Sequence, residues 1–372
     1  MTAIEDYAAT FTEDPGYLNW AAFGPVSEAA RAAQAADADL LGTGRGEAVA
    51  EVFGRVATAR EGIADLLGAD ADEVTLHTAS TPALQHAFAG LSGHVIASSA
   101  EFPSITITLD RAASNGALLP RWIAPADTRV TAAAVAEALD DDVAALAVSH
   151  VDFRSGYRAD LAALREAIGP DRLLIVDAVQ SFGVVDDDFS LADVVVGHGY
   201  KWLRAGRGTG FARFSARARE RIVPVLSGFT ATSSAGLPAD ELPGPAPTGQ
   251  AYAASFPDPL AAARLAVGAD QIRSVGVRAV GDALAERVDA VLAIADRHGV
   301  PVASPRDRAE RAGIVVLAPA DPEGFGAVLA AAGVAATVRT GAVRVAPHVG
   351  TTDATLAQFD DAVADAAEFI SR

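Results

Sequence analysis

The sequence predicts an α/β fold: a mostly parallel central sheet with helices on both faces, followed by a smaller C-terminal α+β domain. Three observations carry this. Short apolar runs alternate with Ala-rich helical stretches as far as Ser215, the pattern of strands joined by crossover helices. Several of those runs end in polar residues, as open α/β sheets do where they bind ligands beyond the carboxyl ends of their strands. The length of 372 residues, 51% of them hydrophobic, suits about two domains at roughly 150 residues each.

In chain order, the strands are expected at Val74–His77, Val95–Ser98, Ala145–His150, Leu173–Asp177, Val194–Gly197 and Gly210–Phe214. The helices between them are expected at Ala48–Leu67, Pro82–Leu91, Thr131–Leu139 and Asp160–Ile168. From Ser227 to Pro259 the composition turns to Gly, Pro, Ser and Thr without a period, which reads as a functional loop or a subunit contact. One long helical pattern then runs from Pro259 to about Arg297, stopped by His298-Gly299. The tail offers strands Gly313–Leu317, Ala336–Arg339 and Val343–Ala346, with helices near Gly324–Ala332 and Ala354–Ile370. The division expected is an N-terminal segment over 1–20, a large ligand-binding domain over 21–258, and a linking helix with a small domain over 259–372.

The composition excludes several functions. Without cysteine there is no disulfide framework, zinc–thiolate site, iron–sulfur cluster or thiol nucleophile. A net charge of −19 argues against a nucleic-acid partner, because phosphate backbones are held by basic patches. The acidic start lacks a signal peptide's basic and apolar regions. No stretch approaches the roughly 20 apolar residues that span a membrane. A cytoplasmic protein without a membrane partner is expected. Among 29 Lys and Arg residues there is one lysine, Lys201.

That lysine follows a strand, in Val194-Val195-Val196-Gly197-His198-Gly199-Tyr200-Lys201. A neighbouring run, Leu173-Leu174-Ile175-Val176-Asp177, ends in a carboxylate with Gln180 three residues on. A buried strand ending in Asp commonly caps the next turn. Here two strand ends would bring a carboxylate and the sole lysine to one place. A lysine amine is the usual covalent handle for a carbonyl, through a Schiff base. Pyridoxal phosphate also needs an acid that keeps its ring nitrogen protonated, and Asp177 suits that role, with Gln180 for the phenolic oxygen. An anion site is expected at Thr78-Ala79-Ser80-Thr81-Pro82, read as a helix start with a hydroxyl N-cap and proline at the first helical position.

The order of anion loop, Glu101-Phe102-Pro103-Ser104, Asp177-x-x-Gln180 and Lys201 resembles the class V aminotransferase family of fold type I pyridoxal-phosphate enzymes. The resemblance runs from Tyr17-Leu18-Asn19-Trp20 to Val343-Arg344-Val345-Ala346-Pro347-His348. It implies Lys201 and Asp177 as catalytic residues, and Ala79, Ser80, Thr81, Gln180, Phe102, His198 and Tyr200 around the cofactor. Phe102 would stack on the ring, where many members carry His and the kynureninase- and epimerase-like branches carry Phe. Tyr200 matches the phosphate-binding tyrosine of kynureninases, where desulfurases have His. Arg344 would grip the substrate α-carboxylate, with Asn19 and Arg339 as further substrate contacts. Ser255 would stand in for the hydroxyl that the partner subunit offers to phosphate.

The implied protein is a homodimer acting on a small amino acid, with active sites at the subunit interface. It is placed with the kynureninase-, epimerase- and selenocysteine-lyase-like branch, as a lyase or aminotransferase. An epimerase or a catalytically silent regulatory module are the alternatives. The family often has Asn where Phe153 stands. The desulfurase route through an enzyme cysteine is excluded by composition.

Other motifs are rejected. Gly206-Arg207-Gly208-Thr209-Gly210 leads into a strand, whereas a dinucleotide loop joins a strand to a helix, so a nicotinamide oxidoreductase is disfavoured. No metal site is expected: the histidines lack ligand spacing, and Asp140–Asp142 and Asp186–Asp188 read as solvated turns. His77, just before the anion loop, is a further residue that would line the site.

Overall fold

A computed structural model describes residues 2–116, 118–125, 127–234, 242–339 and 341–371. In chain order these residues form α1 (Ala3–Ala8), α2 (Glu28–Gly42), α3 (Gly46–Leu67), β1 (Val74–His77), α4 (Ser80–Ala89), β2 (His94–Ser98), α5 (Pro103–Ser114) and β3 (Leu119–Ile123). Next come α6 (Ala132–Glu137), β4 (Val143–Ser149), α7 (Leu161–Ile168), β5 (Leu173–Asp177), β6 (Val194–His198), β7 (Gly210–Phe214) and α8 (Ala216–Arg221). The chain ends through α9 (Pro259–Val275), α10 (Val277–Arg297), β8 (Val315–Leu317), α11 (Pro322–Ala331), β9 (Thr337–Arg339), β10 (Ala342–Val345) and α12 (Asp353–Asp365).

The large sheet has the order β1-β7-β6-β5-β4-β2-β3. Only β7 runs against the others, pairing antiparallel with β1 and β6. The central strands are continuous apolar runs because both faces are covered. Leu174, Val176 and Val195 point into one core, while Leu173, Ile175, Val194 and Val196 point into the other, as the two-residue period of a strand requires. The second sheet, β8-β10-β9, is antiparallel. Arg344 on its central strand alternates with the buried Val343 and Val345.

The expected α/β architecture is therefore the observed one, with corrections in detail. β3 was not expected: Leu119-Pro120-Arg121-Trp122-Ile123 has no apolar run, because as an edge strand it is half-exposed and tolerates proline. The helices α1, α2, α5 and α8 also lie outside the expected set. The single helix expected over 259–297 is two, broken at Gly276, whose φ of +90° is a conformation that suits glycine. Gly268 lets α9 lie against the Lys201 segment: a Cβ there would come 2.6 Å from the Leu203 carbonyl oxygen. No described helix is long and apolar enough to cross a membrane.

Candidate active site

The carboxyl ends of β1, β2, β4, β5 and β6 open on a cavity of 190 Å³. After β1 come Ala79, Ser80 and Thr81; after β2, Phe102 and Ser104; at the end of β4 and beyond it, Ser149, Val151 and Phe153. After β5 come Val179 and Gln180 beside Asp177, and after β6, Tyr200 and Lys201 beside His198. The residues expected around a cofactor thus meet in one place, apart from Ser255, which is exposed and outside its own chain's cavity.

The anion end lies where two helices begin. The N-cap of α4 is Ala79, without a side-chain capping bond, and Pro82 is the third helical residue. The expected hydroxyl cap and leading proline are corrected accordingly. An uncapped start leaves backbone N–H groups and the positive end of the helix dipole for an anion. The Thr81 and Ser104 hydroxyls are hydrogen-bonded at 2.8 Å, tying this start to that of α5. Close approach of the loop to β7 depends on Gly210, where a Cβ would lie 2.5 Å from the backbone N and Cα of Ala79. Gly210→Ala is expected to displace the α4 start. It should lower cofactor affinity at least about tenfold and destabilise the chain by roughly 1–3 kcal/mol, read by cofactor titration and thermal melting.

Lys201 lies three residues past β6, in a segment fastened at both ends. The Gly24 N–H donates to the Tyr200 carbonyl at 2.9 Å and Arg204 N–H to the Lys201 carbonyl at 3.1 Å. Burial pushes the Lys201 ammonium down to about 7, aided by Arg344 and opposed by Asp177. Asp177 is pushed up to about 6 by burial, opposed by the Val179 N–H at 2.9 Å and by Lys201. Beneath the cavity, Glu101 accepts from the Ser149 N–H and hydroxyl, and burial raises its carboxyl to about 7. The Gln180 amide donates to the Ala21 carbonyl at 3.0 Å and accepts from the Trp202 indole at 3.2 Å. Its NH₂ carries two hydrogens, so one donor is left over.

Phe102 and Phe153 meet edge to face, with centroids 5.1 Å apart, on one wall of the cavity. Arg344 is buried beyond them, donating to the Phe153 carbonyl at 3.3 Å, with its Nε unpartnered. Burial and Arg339 push the Arg344 guanidinium down to about 10. Arg339 is exposed, its guanidinium 6.0 Å from the Phe153 ring centroid. Asn19 lies off the cavity and accepts from the Thr337 hydroxyl at 2.8 Å.

His77 is not among the lining residues. It packs against His86, and burial pushes the pair down to about 3 and about 4. Asp186–Asp188 is not simply a solvated turn: Asp187 bonds His150 and Arg158, Asp186 pairs with Arg278, and Asp188 caps Ser190. His94, Asp140 and Asp142 do come together, but Arg121 bonds His94 and pairs with Asp140.

Sequence reasoning passed over Ser149, Val151, Val179 and Arg207. Ser149 ends a strand as Asp177 does, which was a usable signal. Arg207 lies in the Gly206–Gly210 loop, where no local motif marks it.

The cavity fits pyridoxal phosphate on its own geometry. It has a buried amine of lowered pKa, a carboxyl beside it, and an uncapped helix start that a Cβ at residue 210 would close. His198 Nδ1 is an orphaned buried polar atom on its wall.

Known proteins agree. A cysteine desulfurase IscS of Pseudomonas fluorescens (strain SBW25) is 29% identical over 231 residues, 58% of this chain and 57% of that protein. A kynureninase of Burkholderia mallei (strain SAVP1) is 33% identical over 97 residues, 25% of this chain and 23% of that protein. The chain thus spans about half the length of the curated desulfurases it matches.

Among solved structures, the apo cysteine desulfurase of Thermococcus onnurineus NA1 superposes with a TM-score of 0.83 at 18% identity, covering 96% of this chain and 94% of that one. The cystine C–S lyase C-DES, solved with its reaction product cysteine persulfide, gives 0.84 at 20% identity, covering 96% and 98%. These likenesses show the fold. Desulfurases therefore stand among the relatives beside kynureninase, although this chain has no cysteine. The profile of the family described as aminotransferase class-V matches residues 41–355, so the chain belongs to that family of pyridoxal-phosphate enzymes.

Proposed function

We propose that the chain is a pyridoxal-phosphate lyase that releases a sulfur substituent from the β-carbon of a small amino acid without using an enzyme thiol. The observation that carries the catalytic assignment is the meeting of Lys201, Asp177 and the α4 start in one cavity. When bound, the cofactor supplies an electron sink for charge developing at the substrate α-carbon.

Lys201 would hold the cofactor at its carbonyl carbon, and its amine would take the substrate α-proton as general base. With its pKa lowered to about 7, the amine is uncharged in a substantial fraction of molecules near neutral pH, which both roles need. Asp177 would hold a proton at the ring nitrogen. Ala79, Ser80 and Thr81 would bind phosphate at the α4 start, with His198 and Tyr200 lining the same cavity. Phe102 covers the ring, and Gln180 offers its remaining donor to the phenolic oxygen. Arg344 grips the substrate carboxylate, for which a guanidinium fork is suited, with Asn19 and Arg339 as outer contacts.

The sulfur step is supported by relatives named for cysteine desulfuration and cystine C–S lysis. As the Cα–H bond breaks, its electron pair moves toward Cβ and the C–S bond breaks. Sulfur leaves with the bonding pair. With no cysteine to receive it, the products are sulfide from cysteine or a persulfide from cystine, each with keto acid and ammonia as one water is consumed.

A homodimer is part of this proposal. Val223, Val225, Leu226, Phe229 and Phe256 are exposed around the segment that carries Ser255, which would reach the partner's phosphate site. Incubating the holoenzyme with cysteine and with cystine should give keto acid, ammonia and the sulfur product in equal amounts. Keto acid appearing only with an added amino acceptor would make it an aminotransferase. Inversion at Cα without keto acid would make it an epimerase.

A further inference from the structure

The glycine loop that fails as a dinucleotide site places one side chain in the cavity. Arg207 lines the wall together with Ala79, Ser80, Thr81, His198 and Tyr200. Its Cζ lies 4.6 Å from the Tyr200 ring centroid, and Tyr200 in turn stacks on His198 with centroids 3.7 Å apart. The flanking Gly206 and Gly208 have φ of +73° and +85°, a conformation that suits glycine.

The loop is also pinned from behind. Arg264 on α9 donates to the Ala205 carbonyl at 2.8 Å and to the Arg207 carbonyl at 2.7 Å. The Thr209 hydroxyl donates to the Gly206 carbonyl at 2.6 Å. The backbone of Arg207 is thus fixed, while its side chain is exposed at the cavity mouth.

Charge gives this position its meaning. A 5′-phosphate brings close to two negative charges. Burial, with Lys201 adding to it, pushes the His198 imidazole well below its ordinary value, so it is neutral. Tyr200 is an uncharged phenol, and the helix start offers partial charge only. Among the described residues lining the cavity, the cations are Lys201 and Arg207, and the amine of Lys201 is committed to the carbonyl. We infer that Arg207 is the phosphate-pairing residue of this site, supplied by the same chain that carries the lysine. The inference rests on the pyridoxal-phosphate reading and adds to it a cationic contact within one subunit.

The test compares two aldehydes that differ by the phosphate alone. Apoprotein is titrated with pyridoxal phosphate and with pyridoxal, following the visible absorbance, for wild type, Arg207→Gln and Arg207→Lys. Loss of a charged hydrogen-bonding partner should weaken pyridoxal phosphate roughly 10- to 100-fold in Arg207→Gln. Pyridoxal should be held within about twofold, and Arg207→Lys should recover part of the loss. The pyridoxal titration also shows that each variant is folded around the lysine. Unchanged pyridoxal-phosphate affinity, or an equal loss for both aldehydes, would overturn the role of Arg207; the second result would mean that it only supports Tyr200. A wild-type protein that binds neither aldehyde would overturn the cofactor reading itself.

Discussion

Lys201→Ala is expected to abolish the visible cofactor band and to lower turnover by roughly a thousandfold or more, the scale on which a positioned base acts. The effect should be this complete because no second lysine exists to substitute for it. The wild-type amine adds a pH signature. Burial holds its pKa near 7, below the ordinary 10.5, so the neutral, nucleophilic form is already dominant above about pH 7. Capture of the aldehyde by the apoprotein should therefore rise with pH through a midpoint near 7 and level off about one to two pH units above it. A rate that keeps climbing toward pH 10 would mean that Lys201 is solvated and unperturbed.

Asp177→Asn should separate binding from chemistry. Asn is nearly isosteric and can keep the Val179 N–H as a partner for its carbonyl oxygen, so the cavity should survive and the cofactor band should remain. An amide cannot share a proton with the ring nitrogen, so charge developing in the transition state loses its electrostatic support. A fall in kcat of roughly 10²–10³ with little change in cofactor content is expected. Equal activity of the variant would remove Asp177 from the mechanism. The buried carboxyl, raised to about 6 by desolvation and drawn back by Lys201, marks where a cationic ring would be most stabilised.

The same physics decided what could be read without the structure. β5 and β6 were legible because a strand covered on both faces must be an unbroken apolar run. The polar residues at their ends, Asp177 and His198, were legible because such strands terminate at the ligand face. β3 was hidden because an edge strand alternates partly exposed residues and admits Pro120. The break at Gly276 was hidden because the apolar pattern continues on either side of it and only the left-handed φ marks the turn. Arg207 was one of many arginines in a loop judged by the wrong template. Its place in the cavity depends on Gly206, Gly208 and the distant Arg264, a combination that no local pattern encodes. Asp187 was read as solvated for the same reason, since its partners His150 and Arg158 lie far back in the chain.

The most direct measurement reduces the holoprotein with borohydride and locates the pyridoxyl group by peptide mass spectrometry. In this chain the choice is unusually narrow, because the primary amines are the Lys201 side chain and the N-terminus. One label per chain, on the peptide bearing Lys201, is the predicted result. No label, or label on the N-terminus alone, would contradict the assignment of Lys201 as the residue that holds the cofactor.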